Sequence, residues 1–412
     1  MTTIRFAKRL ATRTKRQHQT CKVFECKIDR SHLSTTAKKT LSSLFKEAKW
    51  FYNYILSHEN ISETNCTVKE VPIKVGEEYE TRKFSVLQTQ HRQAIKERTF
   101  TSLKSLSSRK KQGYKVGRLK FKSEVNSVPL REYGRTYHLD FKNKRVKIAG
   151  LKKKWLRVNG LEQIPEGVDI ANATLVRKRQ DFYINVTTYQ DNQELQVEGS
   201  IGIDFGCETQ LTFSDGTKVE FQVPTNKRIK RLDRRIMKKS RPRSKKKEQD
   251  RRKRQKEYER LTNKRKDIRH KVVNAITRTF KYVCFQDESI HAWHSGNHGK
   301  KVQYTGIGGI IGDLKHKSHT PIMVDRFFPS TQLCPSCGSK QKLKLSERTY
   351  SCECGYGNDR DVKSALCIEQ EAMKQVPVDD RDFKAREIST STFFDKLATV
   401  SGIKVSKLES MN

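Results

Sequence analysis

The sequence predicts a multidomain α/β chain, and three textures carry that prediction. A strand near residues 20–30 and short strands from Tyr137 onward bracket a stretch of helical spacing. After Ser200 a small-residue strand and a hairpin lead into a long basic helical region, and strands then return. Behind these, two cysteine pairs stand directly before a helix that opens on aspartate.

Taken in order, CKVFECKID alternates apolar and polar side chains and reads as a strand, with Cys21 and Cys26 on opposite faces as packing residues. LSSLFKEAKWFYNYIL within 36–60 and FSVLQTQHRQAIKERTFTSLKSL within 84–110 repeat apolar residues at three and four, which predicts a helical lobe. The polar stretch 61–80 between them reads as loop. HLDFKNKRVKIAG, KKWLRVNG and ATLVRKRQDFYINVTTY read as strands split by Asn, Gly and Pro turns. In the last, Phe182, Ile184 and Val186 alternate with Tyr183, Asn185 and Thr187. The first strand and this later set are expected to form one β-barrel-like module with the helical lobe inserted.

SIGIDFG then reads as a buried strand, continued by TQLTFSDG and KVEF as a hairpin. Pro242 cannot sit in a helix interior, so 225–282 divides into two helices. The second carries an apolar stripe of Tyr258, Leu261, Ile268, Val272, Ala275, Ile276 and Phe280 against a face of Lys and Arg. YVCFQDES is a strand, GIGGIIGDL from Gly306 opens a helix, PIMVDRFF is a further strand, and 381–412 reads as a mobile tail.

Composition restricts the function classes. The 412 residues carry a formal charge of +40, with 34% hydrophobic and 32% charged residues and a mean hydropathy of -0.82. Such self-repulsion suits a protein that lies along a polyphosphate and gains affinity from each displaced counterion. The basic helices at 226–271 are too one-sided for salt-bridged solvation and predict contact with RNA or a heteroduplex. No apolar run approaches membrane-spanning length, so no membrane partner is expected. The amino terminus is basic and hydroxyl-rich like a transit peptide, but the whole chain is basic. Ten cysteines, four at metal-ligand spacing, predict a reducing cytoplasm and a metal site.

Cys334-x2-Cys337 and Cys352-x-Cys354, each followed by glycine, form two knuckles separated by 14 residues. Four thiolates with no spare position predict structural Zn²⁺ in a ribbon, although the second knuckle is one residue shorter than usual. Asp204 in GIDFG and Glu288 in CFQDESI follow buried strands, and Asp361 opens a helix behind the ribbon. Singly, each has a plain reading: a strand-end turn former, or for Asp361 a first-turn acid on a helix capped by Asn358 or Asp359. Together they offer the convergent carboxylates that hold two Mg²⁺ ions roughly 4 Å apart in phosphodiester hydrolysis. The element order is compatible with an RNase H-type sheet.

His291, His294 and His298 are expected to contact phosphate or pack beside Trp293 rather than bind metal. GIGGIIG lacks the following GK[ST] of a nucleotide loop, which leaves a helix N-terminus near nucleic acid or a lid hinge. Trp50, Phe51 and Tyr52 read as lobe core, with one able to stack on a base.

GIDFG, ESIHAWHSGNHGKKVQ, VDRFFPSTQLCPSCG and ERTYSCECGYGNDRDVKSA resemble the RuvC-type nuclease half of TnpB, the RNA-guided endonuclease of insertion sequences, related to compact type V CRISPR effectors. The likeness is continuous over roughly 200–370, and GRLKFKSE resembles a further family segment upstream. By carry-over Asp204, Glu288 and Asp361 match the catalytic acids and Mg²⁺ ligands, and Cys334, Cys337, Cys352 and Cys354 match the zinc ribbon. Asp359 sits outside the expected ligand position, and Lys363 stands where many relatives have Asn.

The resemblance implies an RNase H-like RuvC nuclease domain at 198–330 and 356–380, with a zinc ribbon at 331–355. It implies a β-barrel wedge module at 1–30 and 131–197, a helical recognition lobe at 31–130, and a tail at 381–412. It further implies a monomer in the bacterial cytoplasm carrying one transposon-derived guide RNA. That complex would open matched double-stranded DNA beside a short flanking motif and cut it. A nuclease-inactive RNA-guided repressor, a strand-transferring transposase and a compact CRISPR effector are the rival readings.

Overall fold

The computed structural model describes residues 2–151, 155–179, 181–192, 197–238, 244–296, 299–344, 346–377 and 390–408. The chain forms two compact units, Met1–Gln193 and Glu194–Asn412.

The first unit opens with helix α1 (Thr2–Gln17) and strand β1 (Gln19–Ile28). Cys21 is exposed and Cys26 buried, as an odd spacing on a strand requires. In α2 (Thr35–Leu56) Ser34 accepts from the Ala37 amide as N-cap. The same helix buries Leu41, Leu44, Phe45, Ala48, Phe51, Tyr52 and Ile55 at helical spacing. Glu47 lies on that buried face, and its carboxylate accepts from the amides of Ser85, Val86 and Leu87 and from the Ser85 hydroxyl.

Part of the polar stretch expected to be loop is a hairpin, β2 (Glu70–Val75) and β3 (Glu78–Lys83), turning at Gly76 with φ +66°. Only Val71 of it is buried, so no apolar alternation announces the strands. Helix α3 (Thr89–Lys111) follows. Strands β4 (Ser127–Leu130), β5 (Tyr137–Asp140), β6 (Arg145–Ile148), β7 (Trp155–Asn159), β8 (Asp169–Lys178) and β9 (Asp181–Asp191) complete a seven-stranded sheet.

Its order is β4-β8-β9-β1-β7-β6-β5, and every pairing is antiparallel. The expected barrel is therefore corrected to an open, half-barrel sheet with β4 and β5 at its edges. Phe182, Ile184 and Val186 point inward, and Phe182 stacks on Phe45 of α2 at 5.9 Å between centroids. Helices and sheet share one apolar core, so the helical segment does not form a lobe with a core of its own.

The second unit begins with β10 (Glu198–Phe205), β11 (Leu211–Phe213) and β12 (Thr217–Glu220), a meander of antiparallel neighbours. Two basic helices follow, α4 (Lys227–Lys238) and α5 (Lys245–Thr277), and the Pro242 break between them lies outside the described residues. Two of their acids turn inward: Asp250 and Glu257 are buried and paired with Arg235 at 3.2 Å and Arg260 at 2.9 Å. Ile268, Val272, Ala275 and Ile276 of the stripe are buried, whereas Tyr258 is exposed.

Strand β13 (Phe280–Gln286) runs parallel to β10, and β14 (Thr320–Val324) runs parallel to β13. Between them lie α6 (Ile290–Ser295), α7 (Gly299–Thr305) and α8 (Ile307–Lys317). The ribbon strands β15 (Thr349–Ser351) and β16 (Gly357–Asp359) lead straight into α9 (Arg360–Met373).

The supposed tail holds α10 (Thr390–Ala398) and β17 (Lys404–Lys407). Phe393 is fully buried against Phe213 and Phe280, and β17 pairs with β12. Those residues therefore belong to the core and sheet, and 381–389 and 409–412 lie outside the described residues. The six-stranded order is β14-β13-β10-β11-β12-β17. Among the described residues no helix is long and apolar enough to cross a membrane.

Candidate active site

Parallel register brings two acids to neighbouring strand ends. Ile203 pairs with Phe285, so Asp204 lies beside Gln286, and Glu288 follows two residues later. Neighbouring residues in register on parallel strands share a face, which directs Asp204 and Gln286 to the same side of the sheet. Gly202 shares that face, and α9 packs against it.

The approach of α9 is close enough to demand glycine. A Cβ at Gly202 would lie 2.1 Å from the Ala365 carbonyl oxygen and 2.9 Å from the Glu369 Cβ. One turn beyond Ala365 along α9 is Asp361, and two residues beyond Gly202 along β10 is Asp204. A helical turn of four residues rises about 6 Å and two strand residues about 6.6 Å, so the third acid arrives beside the first. Glu369 secures the other end, accepting from the Ser200 hydroxyl and from the Gly202 amide at 3.3 Å.

Asp204, Glu288 and Asp361 thus line one cavity of about 920 Å³. Asp204 is pushed up to about 8 by burial and then by the charges of Asp361 and Glu288, against the pull of Arg360. Burial also raises Glu288. Asp287 has a different task, since Lys315 at 3.1 Å and Arg326 at 2.7 Å hold its carboxylate and lower its pKa. Asp359 pairs with Lys218 at 2.8 Å and caps α9, accepting from the Asp361 and Val362 amides. Lys301, Lys342 and Arg348 bring cations from three separate segments to the cavity wall.

The charges of Asp361 and Glu288 disfavour ionisation of Asp204, and a divalent cation bound there would relieve that repulsion. Hard oxygen donors suit Mg²⁺. The donor chemistry of these acids therefore suits such an ion, while among the described residues only the four cysteines have their ligand atoms within 4.8 Å of one another.

The four cysteines converge as their spacing predicts, with all Sγ atoms within 4.8 Å of one another. Cys334 and Cys354 are 3.7 Å apart and Cys337 and Cys352 are 3.6 Å apart. Tetrahedral Zn–S bonds of about 2.3 Å place sulfurs roughly 3.8 Å apart, so the set fits Zn²⁺. Gly338 and Gly355, at φ +74° and +88°, close both turns, their amides donating to the Cys334 and Cys352 carbonyls at 3.0 Å. The shortened second knuckle thereby retains the turn. The Ser339 hydroxyl helps lower Cys352 to about 6, toward the thiolate a metal requires.

Other sequence candidates separate here. His291 and His294 are exposed on α6, and His298 lies outside the described residues. Two glycines of α8 are explained by packing: Gly309 admits the Arg269 side chain and Gly308 the Ile290 side chain. Phe51 and Tyr52 are core, and Trp50 is half-buried with Lys46 5.4 Å from its ring. Gly202 and Gln286 are not among the site residues the sequence predicts, and Lys363 stands out there only as a departure from the Asn of many relatives. The small residues of SIGIDFG are the available signal for Gly202, and Gln286 carries none without the fold.

Comparison with known proteins adds relatives to this geometry. Residues 183–287 match the OrfB_IS605 family model, described as "Probable transposase", and residues 314–368 match the Cas12f1-like TNB domain. A Streptomyces pristinaespiralis protein named "Putative RNA-guided DNA endonuclease" is 26% identical over 300 residues, covering 62% of this chain and 73% of that protein. TnpB-like protein L79 of Acanthamoeba polyphaga mimivirus is 27% identical over 236 residues, 52% of this chain and 45% of that protein. The mimivirus TnpB-like protein L770 is 27% identical over 207 residues, 45% and 39% respectively. This chain thus spans under half the length of these mimivirus relatives. A cryo-EM structure of a Cas12f1–sgRNA–target DNA complex aligns with a TM-score of 0.47 at 12% identity, covering 82% of this chain and 83% of that one. By the family models and curated relatives, the chain bears out the resemblance to TnpB-like proteins that its motifs carry.

Proposed function

We propose that the chain is an RNA-guided DNA endonuclease of a transposable element, with a RuvC-type site on an RNase H-like sheet. The observation that carries this reading is the gathering of Asp204, Glu288 and Asp361 in one cavity at the ends of parallel strands. The strand order β14-β13-β10-β11-β12, with one antiparallel meander and two parallel additions, supports it. So does the S. pristinaespiralis relative, whose name specifies that activity.

Asp204, Glu288 and Asp361 would hold Mg²⁺. When bound, the metal supplies the charge that acidifies the attacking water and stabilises the leaving 3′ oxygen. The chain's own residues do the rest. Lys301, Lys342 and Arg348 attract the phosphodiester to the cavity, and Arg360, whose Nε lies 3.4 Å from the Asp361 carboxylate, holds that group's orientation. In-line displacement leaves a 5′ phosphate and a 3′ hydroxyl.

The ribbon serves as scaffold, because β16 ends at Asp359 and α9 begins at the next residue. The excess Lys and Arg of α4 and α5 provide a backbone-reading surface for guide RNA or its heteroduplex, while base pairing supplies sequence. The flanking-motif requirement and the single guide per monomer belong to this proposal as well.

Asp204→Ala should abolish cutting of a guide-matched plasmid while RNA and DNA binding persist. Cleavage by that variant at the wild-type rate sinks the assignment. The transposase description of one matching family model favours strand transfer as a second reading. Joining of DNA ends that survives ribonuclease treatment before complex assembly would decide for it.

A further inference from the structure

Lys363 lies two residues after Asp361 on α9 and is fully buried, an unusual place for an ammonium group. Its Nζ donates to the Ser330 carbonyl at 3.0 Å and sits 4.3 Å from the centroid of the Tyr350 ring. Tyr350 belongs to ribbon strand β15, and Ser330 to the segment between β14 and the first knuckle. A shorter polar side chain at 363 would not span from the helix to that carbonyl, and an apolar one would leave it without this donor.

The contact continues toward the acids. The Ser330 hydroxyl lies 3.3 Å from Gln286 Oε1 and donates to it. Gln286 Nε2 faces the carbonyls of Asp325, Arg326 and Phe328 at 3.1, 3.0 and 2.8 Å. Gln286 ends β13, stands next to Asp204 in register and precedes Glu288 by two residues. Ser330 and Gln286 both line the carboxylate cavity. Through the carbonyl and hydroxyl of Ser330, hydrogen bonds therefore join the helical turn bearing Asp361 to Gln286, two residues before Glu288, by way of the segment that opens the ribbon.

We propose that Lys363 is a positioning residue for the carboxylate cavity, locking Asp361 to Glu288 through Ser330 and Gln286 and so setting its affinity for divalent cations. This rests on the metal-binding reading of the three acids. Lys363 touches neither the metal nor the substrate; it fixes the spacing of the groups that do.

The test uses the full, zinc-loaded chain and Mn²⁺ as probe, with affinity measured by calorimetry for wild type, Lys363→Met, Gln286→Leu and the double variant. Each single variant should keep its zinc and lose tenfold or more in Mn²⁺ affinity. The double variant should bind no more than threefold more weakly than the worse single one, because both cut the same relay. Ser330→Ala removes the hydroxyl step and keeps the carbonyl that Lys363 meets; should Lys363→Met not fold, this variant and Gln286→Leu carry the test with the same expected loss.

Wild-type Mn²⁺ affinity in Lys363→Met, or fully additive losses in the double variant, overturns the relay. Wild type that binds Mn²⁺ through Asp204 yet never cleaves matched DNA overturns the nuclease reading and leaves the relay standing. Wild type without Mn²⁺ binding overturns both.

Discussion

Replacing Gly202 with alanine tests how α9 positions the third acid. The new methyl would lie 2.1 Å from the Ala365 carbonyl oxygen, 3.0 Å from its carbonyl carbon and 2.9 Å from the Glu369 Cβ. Two of these are backbone atoms and the third is the root of a side chain, so no rotamer change relieves the clash. A carbon-to-oxygen contact settles near 3.3 Å, which requires α9 to lift by roughly 1.2 Å. Asp361 sits one turn away on the same rigid helix and moves with it. Misplacing a reacting group by about 1 Å costs on the order of a hundredfold in rate, and overpacking costs about 1–3 kcal/mol in stability.

The assay is guide-dependent plasmid cleavage by wild type, Gly202→Ala and Gly312→Ala, with thermal unfolding of each and cleavage measured below the lowest midpoint. Gly312 on α8 has nothing within 4 Å of its would-be Cβ. Alanine there should leave cleavage unchanged and stabilise the helix by up to about 1 kcal/mol. A folded Gly202→Ala that cleaves within twofold of wild type refutes the account of α9.

Three further outcomes follow from particular contacts. Cys352→Ser should lower bound zinc and unfolding temperature together, because this sulfur lies 3.6 Å from Cys337 in the four-thiol set; undiminished zinc by elemental analysis counts against a four-thiolate site. Glu47→Ala should destabilise the first unit by about 3 kcal/mol or more, since three amides and a hydroxyl lose a buried acceptor; a urea midpoint equal to wild type contradicts this.

His91 is fully buried, its ring nitrogens without a hydrogen-bond partner among the described residues, and burial followed by the Arg92 charge lowers it to about 4. The unfolded chain titrates near 6.5, so between the two values it binds a proton that the folded chain does not. Stability should therefore fall as pH drops from about 6.5 to 4, by about 3 kcal/mol in all. His91→Leu should flatten that slope in urea unfolding at a series of pH values, and an unchanged slope removes His91 as its source.

What was readable in the sequence had a local cause. The alternation in β9 and the three-and-four spacing in α2 are the traces of one-sided burial, and both segments lie where their patterns place them. The hairpin at 70–83 escaped because only Val71 is buried, leaving nothing to alternate. The carboxy-terminal elements escaped because a short helix anchored by Phe393 and Leu397 and an edge strand of four residues are too brief to show a period. The acids stood out as strand-end and helix-start residues, whereas Asp359 and Asp287, equally acidic and one or two residues away, are engaged by Lys218, Lys315 and Arg326.

By itself the sequence determined the basic, multidomain α/β character, the four-thiol ligand set, the three candidate acids and the resemblance to TnpB-like proteins. Spacing, residue type and charge are local properties, and each can be read without knowing where the chain goes. Only the tertiary structure decided that β10 and β13 run parallel in the register that sets Asp204 beside Gln286. It alone decided that α9 closes on Gly202, and that Lys363 spans from that helix to Ser330. Those facts depend on distances between segments as many as 167 residues apart, Gly202 and Glu369 among them. Convergence of charge in a cavity is a property of such distances, and so the site's electrostatics appear only once the chain has folded.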